Sequence, residues 1–317
     1  MRVAPYTGAD ADAWDALVAE APMGTLLHTR RFLSYHGDRF ADRSLLVYDD
    51  ERLVGVLPAA LDPDDPAVVV SHPGSTYGGL VHRGALTGGA AVDALDAVRA
   101  HFAADGLRTL VYKAVPSIYQ RRPAADDRYA LWQAGARLER VDLSTAIDLA
   151  DPGRRGSRRT RGLKRARKEG LEVRAGRDQA AAFWPVLEQV LGARHGVRPV
   201  HTLAEILTLH DRFPEQIAFV VAHLADEAVA GVVLFRTPVV HHAQYIAASD
   251  RGTATGALDL LFDHCIAEAA GARYFNFGVS TEQGGRVLNR GLHAFKADFG
   301  GGGVAHEVYA LELADER

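Results

Sequence analysis

The densest group of polar side chains in the sequence lies between residues 274 and 303. An aromatic strand over residues 274–277 is predicted to lead into a polar turn that ends at Gly285, and a short helix follows. The polar residues expected on that helix are Arg286, Asn289, His293 and Lys296. Because the turn follows a strand and no hydrophobic period explains these polar groups, we predict a binding or catalytic site here. The alternative is that Phe275 and Phe277 are core residues and the glycines are ordinary turns.

The segment from residue 154 to residue 168 carries the strongest charge in the chain. Nine of its fifteen residues are Arg or Lys and none is acidic, whereas the whole chain has a formal net charge of −4, so the remainder carries −13. Like charges this close on one helix repel each other, and a phosphate-bearing partner would offset that repulsion. The alternative is a solvated helix face that nearby carboxylates neutralise.

No aromatic residue interrupts the basic segment, so we expect it to bind phosphates and not to read bases. Transfer RNA, a nucleotide-linked acceptor and coenzyme A are the partners that it could hold. The residues expected to bind phosphate there are Arg158, Arg161, Lys164, Arg165 and Lys168.

Residues 251–257, RGTATGA, are predicted to connect a strand to the start of a helix. Small residues at such a place let backbone N–H groups approach a phosphate, and the helix dipole favours negative charge. The segment resembles the pyrophosphate loop of GNAT acetyltransferases, with Arg251 as its basic residue and Ala254 in place of the first glycine. A polar turn before a capped helix is the alternative interpretation.

The same order of predicted elements occurs twice along the chain. Each half has a hairpin, a strand, a helix and a further strand, with the helices at residues 89–105 and 255–270. Gly55 and Gly231 take equivalent places in the two hairpins. We therefore predict a mixed α/β fold built from two tandem units, each a mixed sheet flanked by helices. The first unit, residues 1–150, is expected to shape a groove, and the second, residues 151–317, to carry the chemistry.

Composition is that of a globular protein, with 48% hydrophobic and 24% charged residues, and excludes a disordered chain. No segment approaches the roughly 18 apolar residues of a membrane helix, and the first residues lack the basic start and apolar run of a secretion signal. We expect a cytoplasmic protein without membrane insertion.

Neither metal binding nor disulfide formation is expected. Cys265 is the single cysteine, which excludes an internal disulfide and a cysteine-based zinc site. His241 and His242 are predicted on a strand, where neighbours point to opposite faces, so the pair is poorly placed to bind one metal ion. No nucleophile elbow or nucleotide P-loop is present in the sequence.

The twofold repeat, the basic helix and residues 291–300, GLHAFKADFG, together resemble the FemABX family of aminoacyl-tRNA-dependent transferases and the related acetyltransferases, both on tandem GNAT folds. The resemblance is best over residues 155–317, including 194–201 and 244–249, and the pair Phe295 and Lys296 is its most specific element. The coiled-coil arm of some members is absent. No lysine lies between Arg30 and Phe40, where some members grip a nucleotide-linked peptidoglycan precursor, which disfavours such an acceptor.

The resemblance implies amide formation, in which an acceptor amine attacks the ester carbon of aminoacyl-tRNA or the thioester carbon of acyl-CoA. We assign Lys296 to the carbonyl oxygen or the donor's terminal phosphate, and Glu282 is the candidate base or amine anchor. The residues expected to bind substrate are Tyr77, Gln244, Tyr245, Asn276, Ser280, Thr281, Asn289 and Phe295. Alternatively, Lys296 is a surface lysine, Glu282 a helix cap and Tyr245 a core residue.

We accordingly predict a transferase that moves an aminoacyl group from aminoacyl-tRNA to the amine of a small peptide or metabolite, without a bound cofactor. An acyl-CoA-dependent N-acyltransferase is the alternative enzyme. A non-catalytic RNA-binding module is the alternative outside enzymes.

Overall fold

The computed structural model describes residues 1–314, except the side chains of Arg194 and His195. Those two side chains belong to the segment 194–201 of the family resemblance and lie outside the described part, as do residues 315–317. The helices are α1 (Ala11–Glu20), α2 (Arg30–Leu33), α3 (Gly89–Ala104), α4 (Asp126–Gln133), α5 (Ser157–Lys168), α6 (Gln179–His195), α7 (Leu203–Arg212), α8 (Asp250–Thr255), α9 (Ala257–Glu268) and α10 (Arg290–Ala297). Short 3₁₀ turns lie at Gly8–Asp10, Leu26–His28, Ser34–Arg39 and Ser117–Tyr119.

The strands of the first half are β1 (Arg2–Pro5), β2 (Leu45–Asp49), β3 (Arg52–Leu57), β4 (Ala60–Leu61), β5 (Val68–Val70), β6 (Val81–His82) and β7 (Thr109–Lys113). Those that follow are β8 (Arg137–Asp148), β9 (Leu171–Ala175), β10 (Ile217–Leu224), β11 (Glu227–Arg236), β12 (Val240–Ala248), β13 (Tyr274–Val279), β14 (Thr281–Glu282), β15 (Val287–Leu288) and β16 (Gly302–Glu312). Sheets and helices therefore alternate through both halves, as the predicted α/β class requires.

Two units divide the chain, but not as two consecutive segments. Unit 1 contains residues 1–142, 282–287 and 305–317, and unit 2 contains residues 143–281 and 288–304. The sequence predicts a single division near residue 150. The chain returns to unit 1 at its end because β16 pairs antiparallel with β7, from Val308 with Lys113 to Glu312 with Thr109.

Unit 1 has an antiparallel sheet in the order β1-β2-β3-β6 and a second group of paired strands, β4-β5-β7-β16. In the second group β5 and β7 run parallel, and α3 connects them. Parallel neighbours need such a crossover connection. The hydrophobic core between α3 and these strands includes Leu95, Val98 and Phe102.

Unit 2 has the strand order β8-β13-β12-β11-β10-β9. Here β12 and β13 are the parallel pair, and α9 connects them. Each unit thus contains a hairpin, a strand, a helix and a parallel strand, which confirms the predicted repeat. Gly55 pairs with Val47 in the first hairpin and Gly231 with Val221 in the second. A Cβ atom would contact Leu86 at Gly55 and the Phe183 ring at Gly231, so both positions favour glycine.

The phenylalanine-rich core of unit 2 positions the predicted site. Phe275 and Phe277 of β13 are buried against Phe262 of α9, with ring centroids 6.1 and 4.9 Å away. Phe299, just after α10, lies 5.3 Å from Phe277 and fixes the end of that helix to the same core. Because side chains alternate along a strand, Asn276 points to the opposite face of the sheet.

Three local predictions differ from the structure. Arg286 lies in the turn of the small β14–β15 hairpin and not on the following helix, which begins after Asn289. Residues 250–255 form a helix, α8, where the sequence predicts a loop. The glycines at 300–303 lead into the eleven-residue strand β16, which the sequence pattern does not reveal because they resemble an ordinary turn.

Candidate functional site

A buried lysine lies at the end of β13. Only 3% of Lys296 is exposed, and its Nζ donates to the carbonyl oxygens of Gly278, at 3.0 Å, and Val279, at 2.6 Å. Burial lowers the pKa of Lys296 to about 7, because the charged form loses its hydration. Lys296 is therefore not a surface lysine, and its protonation changes near neutral pH.

Several polar side chains share this buried region of unit 2. Asn276 donates from Nδ2 to Ser144 Oγ at 3.1 Å and accepts from the backbone N–H of Gly278 at 2.6 Å. Thr145 Oγ1 lies 3.3 Å from Nδ1 of His293 on α10. The predicted role of Asn276 is substrate orientation; in the structure its amide also holds the turn to which Lys296 is bonded.

Ser280 follows directly after the carbonyl that Lys296 binds. It is 1% exposed, and its Oγ has no hydrogen-bond partner among residues 1–314. A buried hydroxyl without a partner is costly, so an atom supplied by a ligand would stabilise it. The assignment of Ser280 to substrate binding stays a prediction.

Helix α5 carries the basic segment and has two different faces. Its inner face packs on α9, where Gly162 and Ala166 are buried. Arginines near this contact pair with carboxylates of α9: Arg159 with Asp259 at 2.9 Å, and Arg155, which precedes α5, and the exposed Arg167 both with Asp263, at 2.6 and 3.2 Å. For these three arginines, the alternative interpretation of the sequence, neutralisation by nearby carboxylates, is therefore correct.

The outer face of α5 keeps its charge. Its five predicted phosphate-binding residues, Arg158, Arg161, Lys164, Arg165 and Lys168, are exposed and form no salt bridge in the described part of the chain, although Arg165 lies close enough to act on the Asp259 carboxylate. Arg158, Arg161 and Arg165 follow one another at helical spacing and lie about one turn, or 5.4 Å, apart along the helix. We call these five residues the basic stripe.

A groove of about 340 Å³ lies beside the basic stripe. Three arginines of the stripe line it, together with Arg159, its partner Asp259, the ring of Phe295, Leu258 and small residues of α5, α8 and the turn before α9. Arg165 donates to the carbonyl oxygen of Ala254 at 2.8 Å, which joins α5 to α8. The predicted residue Phe295 thus lines a cationic groove and precedes the buried Lys296 on the same helix.

Two backbone N–H groups of the predicted pyrophosphate loop are already bonded to Ser249. Gly252 N–H donates to Ser249 Oγ at 3.1 Å, and Thr253 N–H donates to the carbonyl oxygen of Ser249 at 2.8 Å. Asp259, a buried carboxylate, lies in the first turn of α9. Arg251 is paired with Glu227 and is not among the residues that line the groove.

The remaining predicted residues of unit 2 lie in several places. Tyr245 is buried under α6, where its hydroxyl lies 2.6 Å from His201 Nδ1, and burial raises its pKa to about 12. Gln244, half-buried on β12, lies next to a register shift in the β11–β12 pairing. Thr281 accepts from the backbone N–H of Leu143 at 3.4 Å. Asn289 caps α10 by accepting from Leu292 N–H at 3.0 Å.

Unit 1 contains the predicted residues Tyr77 and Glu282. Tyr77 is buried, donates to Thr25 Oγ1 at 3.3 Å and packs its ring 4.7 Å from Tyr119. Glu282 is exposed on β14. The structure therefore places Tyr77 in the interior of unit 1, whereas Lys296 belongs to unit 2.

Two features, the first in unit 1 and the second in unit 2, escape sequence reasoning. The first is Lys113, whose buried Nζ donates to the carbonyl oxygens of His72 and Pro73, at 3.3 and 3.5 Å, and to that of Ser75. Its pKa falls to about 8, chiefly through burial and further through nearby Arg140. The rarity of lysine, with four in the chain, is the signal that could have pointed to it. The second is the Arg159–Asp259 pair, whose partners lie too far apart in sequence for any local pattern to join them.

Comparison with known proteins identifies the fold. Residues 154–296 match the family model described as an acetyltransferase (GNAT) domain, a range that begins at the basic segment and ends at Lys296. A search of the curated proteins gave no match. No helix in the described residues is long and apolar enough to cross a membrane.

Solved structures match over nearly the whole chain. FemX superposes with a TM-score of 0.68 at 13% identity and covers 98% of this chain and 97% of its own. L-PGS from Bacillus licheniformis has a TM-score of 0.63 at 13% identity, covering 98% of this chain and 94% of its own. A tandem GNAT protein from the clavulanic acid biosynthesis pathway has a TM-score of 0.55 at 11% identity, covering 100% and 99%. The chain therefore has a tandem GNAT fold, and its predicted likeness to FemABX-like and tandem GNAT proteins is confirmed at the level of the fold.

Proposed function

We propose that the protein is an acyltransferase that forms an amide bond by moving an aminoacyl group from aminoacyl-tRNA to the amine of a small peptide or metabolite. The observation that carries this proposal is the basic stripe, five exposed cations of α5, none of which forms a salt bridge in the described residues. Polyanion binding would offset the repulsion among these charges. RNA fits this surface because phosphates repeat along its backbone.

The length of the basic stripe favours RNA over a small donor. From Arg158 to Lys168 the helix extends about 15 Å at 1.5 Å per residue, a length over which a nucleic acid presents several phosphates. A compact pyrophosphate would contact one end of the stripe and leave the other cations unpaired. The stripe also lacks aromatic side chains, which agrees with sequence-independent contact to a backbone.

The helix starts that bind pyrophosphate in GNAT-type loops are poorly suited to an anion here. In unit 2, the N–H groups of Gly252 and Thr253 already donate to Ser249, and the Asp259 carboxylate in the first turn of α9 is paired with Arg159. In unit 1, the N–H of Gly88, before α3, already donates to the carboxylate of Asp126 at 2.8 Å. Both positions thus favour a donor that is held on the outside of α5.

Lys296 is assigned to the acyl oxygen of the donor. A neutral amine has two N–H groups, and the carbonyl oxygens of Gly278 and Val279 accept two hydrogen bonds from it. The protonated form has a third N–H, which would donate to the oxygen as negative charge develops on it. The acceptor amine attacks the ester carbon and loses a proton, the bond to the ribose oxygen breaks, and that oxygen leaves as a hydroxyl after gaining a proton. Glu282 remains our proposed base for the amine proton.

An acyl-CoA-dependent N-acyltransferase is the second candidate. The match of residues 154–296 to the acetyltransferase (GNAT) domain model favours it. The same reaction would then proceed from a thioester, and the leaving group would be a thiolate that needs less help from a proton donor.

The deciding experiment compares the two donors. The protein would be incubated with tRNA charged with labelled amino acids, and separately with acetyl-CoA, each with a panel of amino acids and dipeptides as acceptors. We expect label to move from tRNA into an amide and no thiol release from acetyl-CoA. Thiol release without tRNA turnover would establish the second candidate, and tRNA binding without turnover of either donor would indicate a non-catalytic RNA-binding module.

A further inference from the structure

Arg159 follows Arg158 of the basic stripe but lies on the side of α5 that packs on α9. Its neighbour Arg158 is exposed, whereas only 15% of the Arg159 side chain is exposed and its charge is paired with Asp259. An internally neutralised arginine has little to gain from a phosphate. Two consecutive arginines therefore have different surroundings, and the function of the inner one needs another explanation.

The Arg159 side chain connects its own helix to two other helices of unit 2. It is part of α5, its Nη1 lies 2.9 Å from Asp259 Oδ1 on α9, and its guanidinium lies 4.5 Å from the centre of the Phe295 ring on α10. A guanidinium over an aromatic face is attracted by the ring quadrupole, more strongly when it is shielded from water. Phe295 is the residue before Lys296, so Arg159 holds the helix that carries the buried lysine.

Backbone hydrogen bonds join the same two helices at their ends. Gly156 N–H, at the start of α5, donates to the carbonyl oxygen of Asp298 after α10, at 2.7 Å, and Gly153 N–H donates to that of Gly300 at 3.1 Å. A Cβ atom at Gly153 would lie 2.7 Å from the Gly300 oxygen, so only glycine permits this approach. Helices α5 and α10 are therefore connected both by backbone bonds and by the Arg159 side chain.

We propose that Arg159 is a positioning residue that couples the RNA-binding face of α5 to Lys296 on α10. This inference rests on the proposed function, because it takes the basic stripe as the place where donor RNA binds. An RNA held there would restrain α5, and Arg159 would transmit the restraint to Phe295 and so to the lysine beside it. Donor binding and correct placement of Lys296 would then occur together.

Arg158 and Arg159 form a matched pair for the test. Arg158→Met removes a cation of the basic stripe, whereas Arg159→Met removes the contact to Phe295 and Asp259. Unfractionated uncharged tRNA serves as the probe, and two properties are measured: the dissociation constant as a function of salt, and hydrogen exchange of the backbone amides of α10 with and without tRNA. Arg177→Met, which removes an exposed arginine paired with Asp211, is the control for loss of an arginine elsewhere in unit 2.

In the wild type and in Arg177→Met we expect tRNA to slow exchange in α10 by about threefold or more, as expected when a helix is restrained. Arg159→Met should bind tRNA within about twofold of the wild type and with an unchanged salt slope, yet lose this protection. Arg158→Met should weaken binding and lower the salt slope by about 0.7–0.9, while saturating tRNA still protects α10.

Two results would overturn the proposal: tRNA-induced protection of α10 that persists in Arg159→Met, or a loss of affinity and salt slope in that variant equal to the loss in Arg158→Met. If the wild type bound no tRNA at all, the proposed function itself would fail, which is a distinguishable outcome. Since Arg159→Met leaves the buried Asp259 carboxylate without its partner, Arg159→Met with Asp259→Asn is the second variant. It should keep the native fold by circular dichroism and show the same loss of protection.

Discussion

The side-chain nitrogen of Lys296 lies 2.6 Å from the carbonyl oxygen of Val279, so a buried amine closes the end of β13. Because the amine is buried, the surrounding protein and not bulk solvent determines its pKa. This contact also orders the turn that contains Ser280, whose buried hydroxyl has no partner among the described residues. The geometry leads to specific expectations for activity, stability and RNA binding.

Removing the Lys296 amine should lower kcat, because we assign it to the developing oxyanion. Loss of one donor to a developing oxyanion costs about 10²–10³ in kcat, and we expect that range for Lys296→Met with charged tRNA as donor. Lys164→Met removes an exposed lysine of the basic stripe and should raise KM instead. Equal kcat in the wild type and Lys296→Met would contradict the assignment.

The pH profile of the same reaction should identify the protonated form of Lys296 as the active one. Burial places the pKa of Lys296 at about 7, and only the protonated amine has an N–H beyond the two that bind Gly278 and Val279. We therefore expect the Lys296-dependent part of kcat to fall as pH rises through about 7. In Lys296→Met this falling limb should be absent; an identical limb in both proteins would assign it to another group.

Stability should also depend on the titration of Lys296. Because the pKa is lowered from 10.5 to about 7 on folding, the unfolded chain holds a proton between these values that the folded chain has lost. The free energy of unfolding therefore rises with pH across that window, by roughly 1 kcal/mol per pH unit, and the full cost of the buried charge applies below it. Urea unfolding of the wild type and Lys296→Met at pH 6.5 and 9.5 should show the wild type gaining relative to the variant. A pH-independent difference would show that the amine is not buried as described.

Whether the sequence predicts a contact of this site depends on how far apart the two residues lie along the chain. Helical spacing separates Arg158, Arg161 and Arg165 from the inner residues of α5, and the repeat predicts the strands and helices of both units. The Arg159–Asp259 pair and the return of β16 to unit 1 are not predictable from local patterns, because strand pairing and helix packing join residues about a hundred or more positions apart. The sequence predicts Lys296 as a site residue, but its burial depends on the phenylalanines that pack beneath α10.

RNA binding should depend on the outer face of α5 and on salt. Changing Arg158, Arg161 and Arg165 to Gln removes three phosphate contacts, so the slope of log affinity against log salt should decrease in magnitude by about 2–3. The control changes Arg2, Arg43 and Arg52 to Gln, an equal loss of charge on exposed residues of unit 1. Filter binding of tRNA between low and physiological salt measures both. An equal loss of slope in the two triple variants would show that net charge, and not the basic stripe, determines binding.

The packing of α5 on α9 should be sensitive to a single methyl group at Gly162. Alanine normally stabilises a helix interior relative to glycine by about 1 kcal/mol. A Cβ at Gly162, however, would lie 1.9 Å from Asp259 Oδ2, the carboxylate that binds Arg159, so the helix or the ion pair must move. We expect Gly162→Ala to lower the free energy of unfolding by about 1–3 kcal/mol, the usual cost of overpacking. Thr160→Ala, an exposed change on the same helix, should stabilise slightly; if Gly162→Ala did the same, α5 would not pack on α9 through Gly162.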